Sequence, residues 1–393
     1  MPALIVLSHW RWDSVCRRPQ RLMSCLSRHY PIVYVEEPVC RPGPPGLVRK
    51  QRGAVEVLVP HTPVEAPGFH DDQLRLLGPL LAAYLRERSI EASIAWFYTP
   101  MASPLVAVLQ PRLVVYDCMD DLSALKDAPP ELPQREAQLL QAASLVFAAG
   151  PALYEAKRRL HPRVHCVPSA VDPARFSPSR LDPSSEQARE ADRLQERLPH
   201  PRLGFFGIID ERIDLGLLDA LAAARPDWQI VMAGPVVKLD PASLPERPNI
   251  HWLGQQPQDV LPYLMAGWDV CLMPFVLNDI TRCMSPTKTL EYMAGEKPIV
   301  STAVPDVVAL YGDVVRLARD PAQFIEACAG LLRETGHQRA RRLSNMTSTV
   351  FRTSWESTAQ CMHELMEHEL QAADAGPVLA RAEVGAVRLA VSR

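Results

Sequence analysis

Several things are missing from this chain of 393 residues, and each absence closes a class of function. No apolar run approaches the length that a bilayer span requires. The amino end, Met1-Pro2-Ala3-Leu4-Ile5-Val6-Leu7-Ser8-His9, lacks the basic region and cleavage site of a secretory leader, so it reads as a first strand. Nine cysteines are scattered without a C-x-x-C pair, which argues against a disulfide framework and for a reducing, cytoplasmic setting. His161 and His165 have helical spacing, but Pro162 falls between them and no Glu follows His161, so no metal site is expected. A net charge of −3 gives no reason to expect a nucleic-acid partner. No G-x-G-x-x-G follows the apolar stretches 3–8 or 203–206, which weighs against a dinucleotide dehydrogenase.

What is present is an alternation of short apolar strands and amphipathic helices, repeated twice. This pattern predicts an α/β fold with two doubly wound, parallel-sheet (Rossmann-like) domains. In the first series, strands are expected at 3–8, 31–35, 93–98, 113–116, 145–148 and 164–167, with helices at 18–28 and 132–143. The second has strands at 203–206, 229–232, 250–253, 270–273 and 298–301, with helices at 216–224 and 260–266 between them. Helices near 321–333 and 354–371 close it. Domain bounds of 1–176 and 202–353 follow, with 177–201, rich in Pro, Ser, Glu, Arg and Gln, as the linker. A helix at 354–371 and a poorly ordered tail at 372–393 complete the expected plan.

The segment Ser285-Pro286-Thr287-Lys288-Thr289-Leu290-Glu291 is the most informative in the chain. Ser285 suits a helix cap, Pro286 the first helical position, and Gly295 a left-handed terminus. Lys288 then falls in the first turn, where the helix dipole disfavours a cation. An anion such as a phosphate, held between Lys288 and the free N–H groups around Ser285 and Thr287, resolves that conflict. Glu291, one turn on, is placed to accept hydrogen bonds from sugar hydroxyls. The competing reading is an exposed i,i+3 ion pair.

Several runs resemble the group-one family of GT-B glycosyltransferases. These are Asn249-Ile250-His251-Trp252-Leu253-Gly254, Trp268-Asp269-Val270-Cys271-Leu272-Met273-Pro274-Phe275, and Pro286-Thr287-Lys288 with Leu290-Glu291-Tyr292-Met293-Ala294. Ser8-His9-Trp10-Arg11-Trp12-Asp13, Arg18-Pro19-Gln20-Arg21 and Tyr116-Asp117-Cys118-Met119-Asp120-Asp121 are similar to its teichuronic-acid-type branch. The likeness covers roughly residues 1–370. It implies two domains facing a cleft, an acceptor side and a donor side, and sugar transfer from a nucleotide donor, UDP above others. The implied acceptor is a glycan or lipid-linked chain in cell-surface or exopolysaccharide synthesis. Many relatives carry two glutamates eight positions apart; the second matches Glu291, while the first is Cys283 here, so Lys288 is implied to take over part of that duty.

Transfer from a nucleoside diphosphate must stabilise a departing diphosphate and deprotonate an acceptor hydroxyl. Lys288 and Arg212 are the expected cations. Gly204 and Gly207 would let the backbone approach a phosphate, unless they only make a tight turn. No Asp-x-Asp follows an apolar strand, so neither a metal nor another cofactor is expected. Asp120 is the candidate base, following the strand at 113–116; Asp117 and His9 are rivals, and one of Asp120 and Asp121 is expected to cap a helix. Gly234 and Pro235, with Lys238 nearby, border the nucleotide in this reading. Arg18 and Arg21, one turn apart, would take an anionic acceptor. Nine Arg/Lys against Asp13, Glu36 and Glu37 in residues 1–52 suggest contact with an anionic membrane surface. Trp10, Trp96 and Tyr98 are candidate stacking surfaces for sugars, with core packing the alternative. An epimerase on the same plan, and an inactive nucleotide-sugar-binding scaffold, are the competing functions.

Overall fold

The computed structural model describes residues 1–14, 17–124 and 128–374. The first sheet takes β1 (Ala3–Ser8), β2 (Ile32–Glu36), β3 (Val39–Cys40), β4 (Gly46–Arg52), β5 (Val55–Thr62), β6 (Ser93–Phe97), β7 (Leu113–Cys118), β8 (Leu145–Ala148) and β9 (Val164–Cys166). Their order is β3-β5-β2-β1-β6-β7-β8-β9, parallel throughout, with β4 added antiparallel to β5. The second sheet takes β10 (Arg202–Phe206), β11 (Gln229–Ala233), β12 (Ile250–Gly254), β13 (Val270–Met273), β14 (Ile299–Thr302) and β15 (Arg316–Ala318). Its order is β12-β11-β10-β13-β14-β15 and all of its pairs are parallel. Strands covered on both faces read as continuous apolar runs, and all six residues of β1 are buried.

Each sheet reverses its strand order once, beside β1 in the first and beside β10 in the second. In open α/β sheets a ligand crevice forms at such a point, outside the carboxyl ends of the strands. His9 follows β1 and Gly207 follows β10, so the two crevices bracket the candidate residues.

The chain crosses between domains twice, and the crossings touch in a parallel bridge between Val171 and Ser354. A second tie runs from Ala152 N–H to the Asp306 carboxylate at 2.9 Å.

Some expectations are corrected here. Residues 177–201, read as a linker, hold the helix Glu186–Gln195, capped by Ser185. Gln195 bonds the Leu264 carbonyl at 3.2 Å and accepts from the Trp268 indole at 2.8 Å, which fastens that helix to the second domain. The last helix, Trp355–Asp374, does not close the second domain. Trp355, Met362, Met366 and Leu370 return to the first, joining a core that contains Leu22, Met23 and Tyr30. Residues 375–393 of the expected tail lie outside the described residues. The hairpin β4–β5, the edge strand β15 and the helices Asp71–Glu87 and Gly336–Phe351 were not expected.

Candidate active site

On the second domain, the helix Lys288–Ala294 is fastened over the end of β10. Tyr292 Oη accepts the Phe206 N–H at 3.2 Å, and Thr289 Oγ1 donates to Met273 Sδ at 3.4 Å. Lys288 consequently lies on the backbone of Gly207, where a Cβ would stand 2.1 Å from Lys288 Cε. Gly207 has a φ of +144°, a backbone conformation that favours glycine, and a larger residue would also push the Lys288 side chain from its place. The Lys288 ammonium makes no ion pair with the described residues and sits 5.8 Å from the Phe205 ring centroid. Burial lowers its pKa, Glu291 one turn on works the other way, and the charges of Arg212 and Arg17 add to the lowering.

The loops after β10 and β11 are sewn together. A Cβ on Gly234 would stand 1.7 Å from the Gly207 carbonyl, and Ile209 N–H donates to the Pro235 carbonyl at 3.0 Å. Gly234 and Pro235 thus shape the floor that carries Gly207. Arg212 is partly buried, its guanidinium held by Asp210 at 2.6 and 2.9 Å. Its charge still reaches Asp120 on the opposite domain.

On the first domain, Asp120 follows β7 and its side chain makes no hydrogen bond to a described residue. Burial pushes its pKa up to about 6, against the pull of Arg212 and Arg17. His9 is held down to about 4, first by burial and then by the charge of Arg17, so its imidazole is neutral at physiological pH. Its Nδ1 is buried without a partner.

Arg18 and Asp117 do not belong to this group. Arg18 Nε and Nη2 grip the two Asp117 oxygens at 3.0 and 2.9 Å, and Nη1 donates to the Val167 carbonyl at 2.9 Å. Both side chains are buried, so neither meets an acceptor or serves as a base. Arg21 bonds Asp172 at 3.3 Å, beside the crossing segment. Part of the basic excess of residues 1–52 is offset within the fold, since Arg18, Arg21 and Arg49 pair with carboxylates outside that segment, Asp117, Asp172 and Glu87. Among the described residues no helix is long and apolar enough to cross a membrane.

Other readings change in detail. Ser285 does not cap the helix, which starts at Lys288 after Thr287, and the first amide of the turn to donate is Thr289 to the Pro286 carbonyl. Gly295 has a φ of −84°; the left-handed residue is Glu296 at +59°. A Cβ at 295 would meet the end of the Met265 side chain, at 2.0 Å from Cε, so a larger residue there would have to push that side chain aside. Gly204 faces the Trp268 ring at 1.9 Å from a built Cβ, so it serves packing and not a phosphate. Trp96 and Tyr98 are core residues. Cys283 is buried against the first domain's core and fills a contact between domains.

One participant was missed. Arg17 precedes the first helix, Arg18–Leu26, and its guanidinium lies over the Trp10 ring at 4.0 Å. Asp120, Arg212, Asp210 and Glu291 are its electrostatic neighbours.

Lys288, Glu291, Arg212 and Gly207 from one domain, and Asp120, His9 and Arg17 from the other, thus converge on one interdomain cleft. A separate groove, lined by Met1, Pro31, Glu56 and Arg88 among others, lies at the opposite, amino ends of β1 and β2.

Residues 200–334 match the family model described as glycosyl transferases group 1. A Bacillus subtilis protein, TuaH, whose name assigns it to teichuronic acid biosynthesis as a glycosyltransferase, is 26% identical over 63% of this chain. The chain is a distant homologue of the group 1 glycosyltransferases. The match spans 66% of the relative's own length, just under two thirds. The GT-B fold of this group 1 homologue is that of sucrose-phosphate synthase from Thermosynechococcus elongatus, with a TM-score of 0.73 at 16% identity, covering 95% of this chain and 100% of that one. The Anabaena protein HepE, solved in complex with UDP and glucose, aligns with a TM-score of 0.69 at 14% identity over 94% and 100% of the two chains. In the group 1 homologue, the segment matched by the family model carries Gly207, Arg212, Lys288 and Glu291.

Proposed function

We propose that the protein is a glycosyltransferase that moves a sugar from a nucleoside diphosphate, UDP in our reading, to a glycan or lipid-linked acceptor of the cell envelope. The observation that carries the proposal is the partly buried ammonium of Lys288, seated on Gly207 at the second domain's switch point without an ion pair to a described residue, while Arg17 of the first domain acts on both Lys288 and the Asp120 carboxylate. As the bond from the anomeric carbon to the diphosphate breaks, negative charge grows on the leaving oxygen. Lys288 and Arg212 are fixed in place to receive it, so a divalent ion is not required. The acceptor oxygen bonds to the anomeric carbon and its proton passes to Asp120. A base with a pKa of about 6 suits this task near neutrality better than His9 at about 4. His9 stays neutral and offers Nδ1 to an acceptor hydroxyl. Glu291, on the same helix face as Lys288, takes hydroxyls of the donor.

The test is a panel of UDP-, GDP- and ADP-sugars, scored for nucleotide release with EDTA present and with a lipid-linked glycan acceptor added. Release that needs the acceptor, survives EDTA and collapses in Lys288→Ala is expected. Turnover abolished by EDTA would remove the metal-independent mechanism. Interconversion of the donor sugar without an acceptor would make the protein an epimerase, and donor binding without turnover would make it a scaffold.

A further inference from the structure

Arg17 and Arg18 are neighbours with opposite fates. The guanidinium of Arg18 is filled by the Asp117 carboxylate and the Val167 carbonyl. That of Arg17 has no ion pair with the described residues, and its Nε is buried with no hydrogen-bond partner. The Arg17 amide is fixed by Gln20 Oε1 at 3.0 Å, and the guanidinium is held by stacking on Trp10 at 4.0 Å. Stacking on an indole orients a guanidinium without neutralising it. Most of the charges that act on Arg17 belong to the other domain, including the like charge of Arg212. Lys288 in turn feels Arg17 and Arg212. Asp120, Asp210 and Glu291 temper this repulsion, but of the three cations only Arg212 is closed by an ion pair with a described residue, which leaves Arg17 and Lys288 with donors to spare for an anion.

We propose that Arg17 is the first domain's ligand for the donor diphosphate, closing on it from across the cleft opposite Lys288 and Arg212. This rests on the nucleotide-sugar reading above. The guanidinium fork presents paired N–H donors that match phosphate oxygens, and Trp10 keeps that fork aimed. Arg17 therefore recognises the diphosphate, not the nucleoside or the sugar, and donor binding draws the two domains together.

Calorimetry on the whole chain tests this with whichever of UDP, GDP and ADP the wild type binds most tightly, each set against its own nucleoside. Arg17→Ala is expected to weaken the diphosphate at least tenfold while leaving the nucleoside within twofold. Arg17→Lys should recover only part of the loss, because lysine lacks the fork. Trp10→Leu should weaken the diphosphate by a smaller factor with the charge still present. If Arg17→Ala does not fold by circular dichroism, Arg17→Gln carries the same expectation. A folded variant with unchanged diphosphate affinity, or with diphosphate and nucleoside weakened alike, would overturn the assignment. When Lys288→Ala loses diphosphate binding and Arg17→Ala does not, the inference alone fails. When the wild type binds none of the three diphosphates, the donor reading fails with it.

Discussion

The protein holds two clusters of buried or partly buried charge at the carboxyl ends of its strands, and they are finished differently. In one, Arg18 and Asp117 satisfy each other, with Val167 taking the remaining donor. Burial pushes the Asp117 carboxyl up, and the guanidinium of Arg18 works against that push. In the other, Lys288, Asp120 and His9 each lie in the field of Arg17, yet none of the four is closed by an ion pair with a described residue. Leaving polar groups dry and unpaired costs stability, so a protein retains them where a ligand completes them. The closed cluster holds the first domain together, and the open one is where chemistry is expected.

Breaking the closed cluster should give the largest effect. Arg18→Ala leaves Asp117 charged and buried, and about 3–5 kcal/mol of stability should be lost in a denaturant melt. Replacing both partners, Arg18→Met with Asp117→Leu, should recover most of that loss, since an apolar pair leaves nothing unsatisfied.

Asp120→Asn should behave in the opposite way. Turnover should fall by roughly 10²–10⁴, the usual worth of a general base. Stability should rise at the same time. A carboxyl at about 6 in the folded chain and 3.8 in its absence binds its proton more tightly when folded. Its stabilising share is therefore complete below pH 4 and disappears as the pH rises through 6. Asparagine removes the resulting penalty, so the variant should gain about 1–3 kcal/mol at pH 7 and nothing at pH 4. In the wild type, the turnover rate should climb through pH 6 for the same reason.

Lys288→Ala should reduce turnover by roughly 10²–10³, as loss of a fixed stabiliser of leaving-group charge does. Its melting temperature should hold or rise, because a desolvated ammonium is removed. Gly207→Ala should show the smallest change, a roughly tenfold drop in donor affinity with about 1–3 kcal/mol of strain. Its added methyl displaces Lys288 from its seat, so pairing it with Lys288→Ala should give less than the sum of the two effects.

The fold was legible in the sequence: the two Rossmann-like series and the positions of most strands follow from apolar periodicity, and strand ends and helix starts single out Lys288, Glu291, Arg212, Gly207 and Asp120 as candidates. Local pattern says where a side chain leaves the backbone but not what it meets on arrival. Arg18 was therefore read as a ligand although Asp117, ninety-nine residues on, was waiting for it. For the same reason Arg17, facing the cleft, was passed over. Glycines misled likewise: Gly204 and Gly295 make room for Trp268 and Met265, distant partners that no spacing reveals. The hairpin β4–β5 was hidden because β4 is an exposed edge of charged residues without an apolar signature.

The most direct test of the open cluster is to compare calorimetric affinities of UDP and uridine for the wild-type chain, with EDTA present. The account predicts that UDP binds at least 100-fold more tightly than uridine, the difference residing in the phosphates that meet Lys288, Arg212 and Arg17. Equal affinities would contradict it, because the unpaired charges of the cleft would then have no diphosphate to hold.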